Sequence, residues 1–406
     1  LLMEYYPLDG IGHDIEMQIM INDELPFEGA MRISFFRTWK DLTGILTDNR
    51  GNELRPKQVE YPVWNQDYFK DKDGYTNLPY SFYFKKGRNT IRLFLTQESL
   101  AISQLKIVNQ SLSLKYEDML EHYTNQGIGK PKNVYERIQG ENSRLKSHSV
   151  LHPLSDRSCP LTKPYHPTLI RMNTIGGENW RYPGQWISWK VNVPEEGFYK
   201  VGIRYRQNSV RGFFTSRNMY VNGEIQHDQM SNIRFNYGIN WKFKTLGDEN
   251  PKYIYLDEGD NEIKLEVTLG EIAKTLRVIE ESVFALNDMY RQIIMITGVQ
   301  PDIYRDYFLE KDIPDLIDVF SKVSGALIAE SENFEKILGS QGTEAVLLNR
   351  ISEQLDSFVR DPHTIPSRLQ RYKDNISSLA AWSLSIKEQP LEIDYIDIIS
   401  VDKEFK

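Results

Sequence analysis

The chain closes on the stretch "QPLEIDYIDIISVDK", residues 389–403, where Leu391, Ile393 and Tyr395 alternate with polar neighbours before the pattern turns apolar. Alternation of period two followed by an apolar run predicts a β-strand. Residues 271–388, immediately before it, read as helix instead. A solitary strand has no partner for its backbone N–H and C=O groups. The segment therefore needs a sheet built from residues far away in the chain.

An internal repeat identifies that sheet. Residues 1–27 lie over 201–227 without a gap, matching Tyr5 to Tyr205, Gly12 to Gly212, Asn22 to Asn222 and Glu24 to Glu224. Both stretches read strand, loop, strand and tight turn, "IND" in one and "VNG" in the other. Asn, Asp and Gly suit such turns because they tolerate positive φ. A second block, "FYFKKGRNTIRLFL" (82–95), lies over "IYLDEGDNEIKLEV" (254–267). The offset falls from 200 to 172, so the first module carries 28 extra residues, and "TDNRGNELRPKQVEYPVWNQDYFKDKDGY" reads as loop.

The modules differ after the second block. The first continues into "QESLAISQLKIVNQ", a strand ending near Asn109. The second has helical spacing instead, through Leu269, Ile272, Leu276, Ile279, Val283, Leu286 and Tyr290. Thr268 and Glu271 fit a capping box and Gly298 a C-terminal stop. Further helices are predicted near 312–338, 343–360 and 366–387, punctuated by Gly339, Gly342, Pro362 and Pro366. Only then comes "PLEIDYIDIIS", the counterpart of "SLAISQLKIVN". The helices are thus an insertion ahead of the last strand of a β-sandwich.

The predicted fold is mainly β with an α insertion: two jelly-roll-like β-sandwich modules, the first truncated at its N-terminus. It comprises a first module at 1–110, a helical linker at 111–132, a second module at 133–270, a helical bundle at 271–388 and the final strand at 389–406. Nothing ahead of Leu1 matches residues 133–200, so roughly 70 upstream residues are expected to be missing and the chain to be a fragment.

Composition narrows the function. With 49 basic and 57 acidic residues and no Lys/Arg block, the chain argues against nucleic-acid binding. The single cysteine, Cys159, excludes internal disulfides and multi-cysteine zinc sites. No run of 18 apolar residues predicts a membrane span. "DKDGY" (71–75) lacks the later ligands of an EF-hand, and "GIGKPK" (127–132) lacks the spacing of a phosphate loop.

The string "GQWISWKVNVPEEGFYKVGIRYRQN…MYVNGE", with its terminal "IDYI", resembles jelly-roll carbohydrate-binding modules of families 6 and 35. Over nearly the whole chain, "PYHPTLIRMNTIGGENWRYPGQWISW", "DNRGNELRPKQVE", "IIMITGVQPDIYRD" and "QPLEIDYI" resemble the accessory region of large extracellular solute-binding proteins of sugar-type ABC importers. That resemblance implies a non-catalytic region at the surface of a Gram-positive bacterium. Its implied partners are carbohydrate, further domains of the same polypeptide and, indirectly, an ABC permease. A purely structural scaffold without ligand is one alternative. An appendage of a polysaccharide-degrading enzyme is another.

Sugar faces pack on exposed aromatic rings while amides and charges take the hydroxyls. The candidates are Trp180 and Tyr182 in "TIGGENWRYPG", Arg171 and Asn173 on the approach, and Asn208 and Arg211 in the facing loop. The competing reading of Trp180 is a loop anchor packed on the sandwich end, and burial of both aromatics would favour the scaffold. The jelly-roll resemblance also implies a structural calcium, at positions corresponding to Gln139, Glu141 and Asp394. Gln139 departs from the family's glutamate and removes a charged ligand from an all-oxygen site.

Overall fold

The structure, a computed structural model, describes residues 1–109, 114–339 and 342–405. It divides into two compact units, Leu1–Gly270 with Gln389–Lys406, and Glu271–Glu388. In the first unit the early strands are β1 (Leu2–Pro7), β2 (Ile15–Ile21), β3 (Ile33–Phe35), β4 (Trp39–Asp41) and β5 (Leu46–Thr47). They continue as β6 (Glu53–Leu54), β7 (Gln58–Glu60), β8 (Asn65–Tyr68), β9 (Ile91–Gln97) and β10 (Leu100–Lys106). After helix α1 (Tyr116–Asn125) come β11 (Tyr135–Gln139), β12 (Leu145–Lys146), β13 (Pro153–Leu154), β14 (Thr174–Gly177), β15 (Trp186–Val193) and β16 (Gly197–Gln207). Then follow β17 (Phe214–Val221), β18 (Ile233–Asn236), β19 (Gly238–Thr245), β20 (Tyr253–Leu256), β21 (Gly259–Thr268) and, beyond the helices, β22 (Leu391–Ser400).

The closing strand finds its sheet. β22 pairs antiparallel with β16, β14 and β11, in the sheet ordered β13-β14-β22-β16-β19. Its Leu391, Ile393, Ile396 and Ile398 are fully buried in the second sandwich's core beside Trp189, Val201, Ile203 and Leu265. Burying each such side chain contributes about 1.5–3 kcal/mol. That gain holds a strand whose partners lie nearly two hundred positions away.

The repeat extends to individual hydrogen bonds. Both turns are left-handed, at Asn22 (φ 52°) with Asp23 and at Asn222 (φ 50°) with Gly223. Asn22 Nδ2 donates to Asn89 Oδ1 at 2.9 Å, and Asn222 Nδ2 to Asn261 Oδ1 at 2.9 Å. Each acceptor asparagine then closes its own loop, on the carbonyls of Lys85 and Asp257 respectively. The bulges coincide too. Glu4 faces Gln104 and Tyr5 faces Ile102, skipping Ser103; Arg204 faces Tyr395 and Tyr205 faces Ile393, skipping Asp394. Each skipped residue bonds the central strand: Ser103 Oγ donates to Glu4, and Asp394 accepts from Arg204. Among the described residues β9 pairs only with β2 and β10 only with β1, whereas β21 and β22 are flanked on both sides.

The 28 extra residues are not a loop. β4 and β7 extend the second sandwich's other sheet, ordered β18-β17-β21-β15-β12-β4-β7, so the first module's insertion is built into the second. An ion pair accounts for the attachment. Lys146 on β12 is fully buried, and its ammonium bonds Asp41 on β4 and Gln58 Oε1 at 3.1 Å on β7. Burial pushes Lys146 toward the neutral amine and Asp41 opposes it.

The linker helix α1 forms as expected, packing Tyr116 and Met119 with Phe198; residues 111–113 of that linker lie outside the described residues. The second unit carries α2 (Ala273–Thr297), α3 (Leu309–Asp312), α4 (Leu316–Leu338), α5 (Thr343–Arg360) and α6 (Leu369–Lys387). Its four long helices pack in the cycle α2-α4-α5-α6, around Phe320, Phe358 and Tyr372, whose rings lie 5.5–5.9 Å apart. Gly298 ends α2 at φ 75°, as predicted. The capping box does not form. Thr268 ends β21 and its hydroxyl accepts the Gly270 N–H at 3.1 Å, so α2 begins without a side-chain cap.

Candidate functional site

Where β14, β16 and β22 run out at one end of the second sandwich, they leave a cleft of about 560 Å³. Leu154, Ile170, Met172, Pro390 and Leu391 supply its apolar wall; Gly177–Asn179 and Arg206–Ser209 supply backbone and polar groups. Gly177 (φ 60°) lets the chain turn sharply at the end of β14. Antiparallel pairing sets Arg206 against Glu392, and the guanidinium donates to Glu392 Oε2 at 2.6 Å and to Asp156 Oδ1 at 3.1 Å. Thr174 Oγ1 adds a bond to Glu392 Oε1 at 2.8 Å, and Arg206 Nη1 reaches Ser158 Oγ at 2.8 Å. Glu178 accepts from Ser209 Oγ and lies 3.4 Å from Arg181. One wall comes from the first module, where Arg55 lines the cleft. No lining residue is aromatic. Such a cleft offers fixed, directional donors and acceptors beside a small apolar surface, which suits a polyhydroxylated ligand.

The predicted sugar contacts separate. Asn208 is exposed and lines the cleft. Trp180 does not meet solvent: its side chain is fully buried, Nε1 donates to the Gln185 carbonyl at 3.1 Å, and the Arg217 guanidinium lies 4.2 Å from its ring centroid. It is the loop anchor, placed in the core because its apolar area is worth more there than against a ligand. Asn173 is also fully buried, bridging the Asp156 N–H and C=O at 2.8 Å each. Arg171 is committed to the first module, donating to the Gly51 carbonyl at 2.7 Å. Tyr182 is 49% exposed beside Arg181, and Arg211 is exposed, but neither lines the cleft. Arg206, Glu392, Glu178, Asn179 and Arg55 escaped the sequence reading. The outward positions of two paired strands could have revealed Arg206 and Glu392; nothing local points to Arg55.

The calcium positions behave differently. A short 3-10 turn (Gly140–Asn142) follows β11 and lies against the bulge of β22, close enough that a Cβ on Gly140 would sit 2.6 Å from the Ile393 carbonyl oxygen. Trp189 Nε1 anchors the turn through the Gly140 carbonyl at 2.9 Å. Around this contact Gln139 Oε1, Glu141 Oε2 and Asp394 Oδ1 are all buried without a hydrogen-bond partner. Burial, with a smaller push from the Glu53 carboxylate, lifts Glu141 to about 8. Asp394 is fully buried, and its other oxygen takes the Arg204 guanidinium. Orphaned buried acceptors are costly unless something supplies a positive partner. Two carboxylates and an amide oxygen fit a hard cation such as calcium. Among the described residues no group of three His, Cys, Asp or Glu is assembled for a metal.

No curated protein matches the chain. A family 35 carbohydrate binding module from Clostridium thermocellum is 16% identical over 33% of this chain and 87% of its own, with a TM-score of 0.23. A CBM35 from Paenibacillus barcinonensis is 17% identical over 33% and 88%, with a TM-score of 0.24. A Paenibacillus sp. cycloisomaltooligosaccharide glucanotransferase is 21% identical over 39% of this chain, at a TM-score of 0.24, and the match spans 21% of that enzyme's length. No helix among the described residues is long and apolar enough to cross a membrane. Over residues 274–384 the chain matches the family described as the bacterial solute-binding protein, 4-helix bundle domain.

Proposed function

We propose that this chain is a non-catalytic, glycan-binding accessory region of an extracellular solute-binding protein serving a sugar-type ABC importer. In this reading the second sandwich holds an oligo- or polysaccharide in its end cleft. The helical unit belongs to the same solute-binding polypeptide, whose further domains deliver the transported solute to a permease at the surface of a Gram-positive bacterium. What carries the sugar reading is the cleft of about 560 Å³, with paired charges and the exposed Asn208 amide set beside an apolar wall. The four-helix-bundle match over 274–384 supports the transport context. Calcium held by Gln139, Glu141 and Asp394 would fix the 3-10 turn to the closing strand, two positions beyond the cleft residue Glu392.

A glycan array of the intact chain beside an Asn179→Ala/Asn208→Ala variant tests the reading. Binding of at least one glycan, lost in the variant with an unchanged melting temperature, is the expected result. An array on which the unmodified protein binds nothing sinks it. One observation favours the ligand-free scaffold instead. Trp180 is fully buried and no aromatic ring lines the cleft, so stacking contributes nothing to affinity there.

A further inference from the structure

We infer that Lys146 and Gln58 join in an intramolecular isopeptide bond, with Asp41 carrying the protons, which fastens the first module's insertion covalently to the second sandwich.

The register of three neighbouring strands assembles the groups. On β12, Lys146 pairs with Ile187 on one side and with Trp39 on the other, and Asp41 on β4 pairs with Gln58 on β7. Asp41 is two residues from Trp39, so it shares that face of the sheet and is the diagonal neighbour of Lys146. Ile187 belongs to the sandwich core, which puts Lys146 on the core side, where it is fully buried. Asp41 Oδ1 accepts from the Lys146 ammonium and, at 2.5 Å, from the Gln58 side-chain amide. Gln58 Nε2 also donates to the Pro56 carbonyl at 3.1 Å, which turns Oε1 toward Lys146 Nζ, 3.1 Å away. An amine, a carboxamide and a carboxylate that touches both thus meet at one point.

These are the groups that amide exchange needs. An ammonium has no lone pair to attack with, and burial favours the neutral amine, which has one. Reacting atoms must come within about 3–3.5 Å, and with the carbonyl oxygen already in contact a small side-chain rotation sets Nζ over Cδ. Asp41 takes a first proton from Nζ. The nitrogen lone pair then attacks Gln58 Cδ and moves the carbonyl electron pair onto Oε1. Asp41 passes its proton to the amide nitrogen, the Cδ–Nε2 bond breaks as the carbonyl re-forms, and Nζ gives up a second proton. Ammonia departs with that proton as ammonium, and Asp41 ends as the carboxylate it began as. One C–N bond forms, one breaks, and nothing is oxidised or reduced. Asp41 and Gln58 are partly exposed, so the ammonium has a way out. Lys70 makes the contrast. Burial pulls at its charge too, but Asp67 at 3.2 Å and Glu266 at 2.9 Å outweigh it and keep the ammonium protonated. The bond would join side chains 88 positions apart, a link that persists when the sheet opens.

Intact-mass spectrometry of the whole chain, with tandem sequencing of its tryptic peptides, tests the bond. The unmodified protein is expected about 17 Da below its sequence mass, the loss of one ammonia. Residues 58–70 and 145–157 should then be recovered as one branched peptide. Lys146→Arg, which keeps the charge but not the nucleophile, and Asp41→Ala should each show the full mass expected for the variant and release 58–70 as a free peptide. Full mass in the unmodified chain overturns the inference, and so does an ammonia loss that maps to other residues. A loss of about 18 Da with Lys146 joined to Asp41 overturns it too, because the carboxylate would then be the acyl group. A cross-link that survives Asp41→Ala removes Asp41 as the proton carrier.

Discussion

At the scale of single residues, burial decides role. Trp180 reads on paper as a sugar platform and serves as core, so its truncation should test folding rather than recognition. Trp180→Ala is expected to cost about 3–5 kcal/mol in a denaturant titration, the usual range for deleting a buried aromatic ring. A variant as stable as the unmodified chain would show that the ring is not packed as described. His227 is a second buried group with a consequence. It is fully buried with Nε2 against the Tyr253 carbonyl at 3.0 Å, and burial holds it down at about 4 instead of 6.5. As pH falls from 6.5 toward 4, the unfolded chain takes up a proton that the folded chain refuses, so stability is lost across that window. The loss amounts to about 3 kcal/mol. His227→Gln should flatten this part of the stability–pH curve; an equally steep decline in the variant refutes the assignment. The three orphaned oxygens at Gln139, Glu141 and Asp394 make a third prediction. Millimolar calcium should raise the melting temperature of the unmodified chain and leave Asp394→Asn unmoved. No response in the unmodified chain removes the metal.

At the scale of elements, the unexpected feature is the strand pair β4–β7, which leaves its own module to extend its neighbour's sheet. The buried Lys146 makes the attachment testable. Removing its carboxylate leaves an ammonium without its ion-pair partner in a site that water does not reach, and breaking such a pair typically costs 3–5 kcal/mol. Asp41 is itself partly exposed, so Asp41→Ala is expected near the lower end, about 3 kcal/mol. Lys146→Met with Asp41→Leu should recover most of the loss, since replacing both partners by apolar groups removes the unmet charge. If Asp41→Ala is neutral, the strand pair does not depend on this contact. The bulges at Ser103 and Asp394 show the opposite tendency, conservation of geometry with exchange of chemistry. The acid sits on the central strand in one copy, at Glu4, and on the bulge in the other, at Asp394.

At the scale of the whole molecule, the helical unit leaves after Gly270 and the chain returns at Gln389 to a sheet already complete but for one strand. Replacing residues 271–388 by a short Gly/Ser linker should therefore leave a β unit that folds and keeps its cooperative unfolding transition, as seen by circular dichroism. An unfolded product would mean that the helices hold β22 in place. Much of this architecture was legible in one dimension. Period-two and period-3.6 patterns, the Asn turns and the repeat offset are local signals, and they located the sandwiches, the insertion and the returning strand. The jelly-roll resemblance pointed to Asp394 and the residues around Gly140, two segments that the pairing of β11 with β22 brings together. The sugar contacts were less accessible. Whether Trp180 faces a ligand or the core depends on what packs over it, and Arg217 comes from a strand 37 positions away. Arg55 was beyond reach altogether: its place in the cleft comes from a hairpin docking on Ile170 and Met172, a contact between distant segments that no spacing or composition encodes.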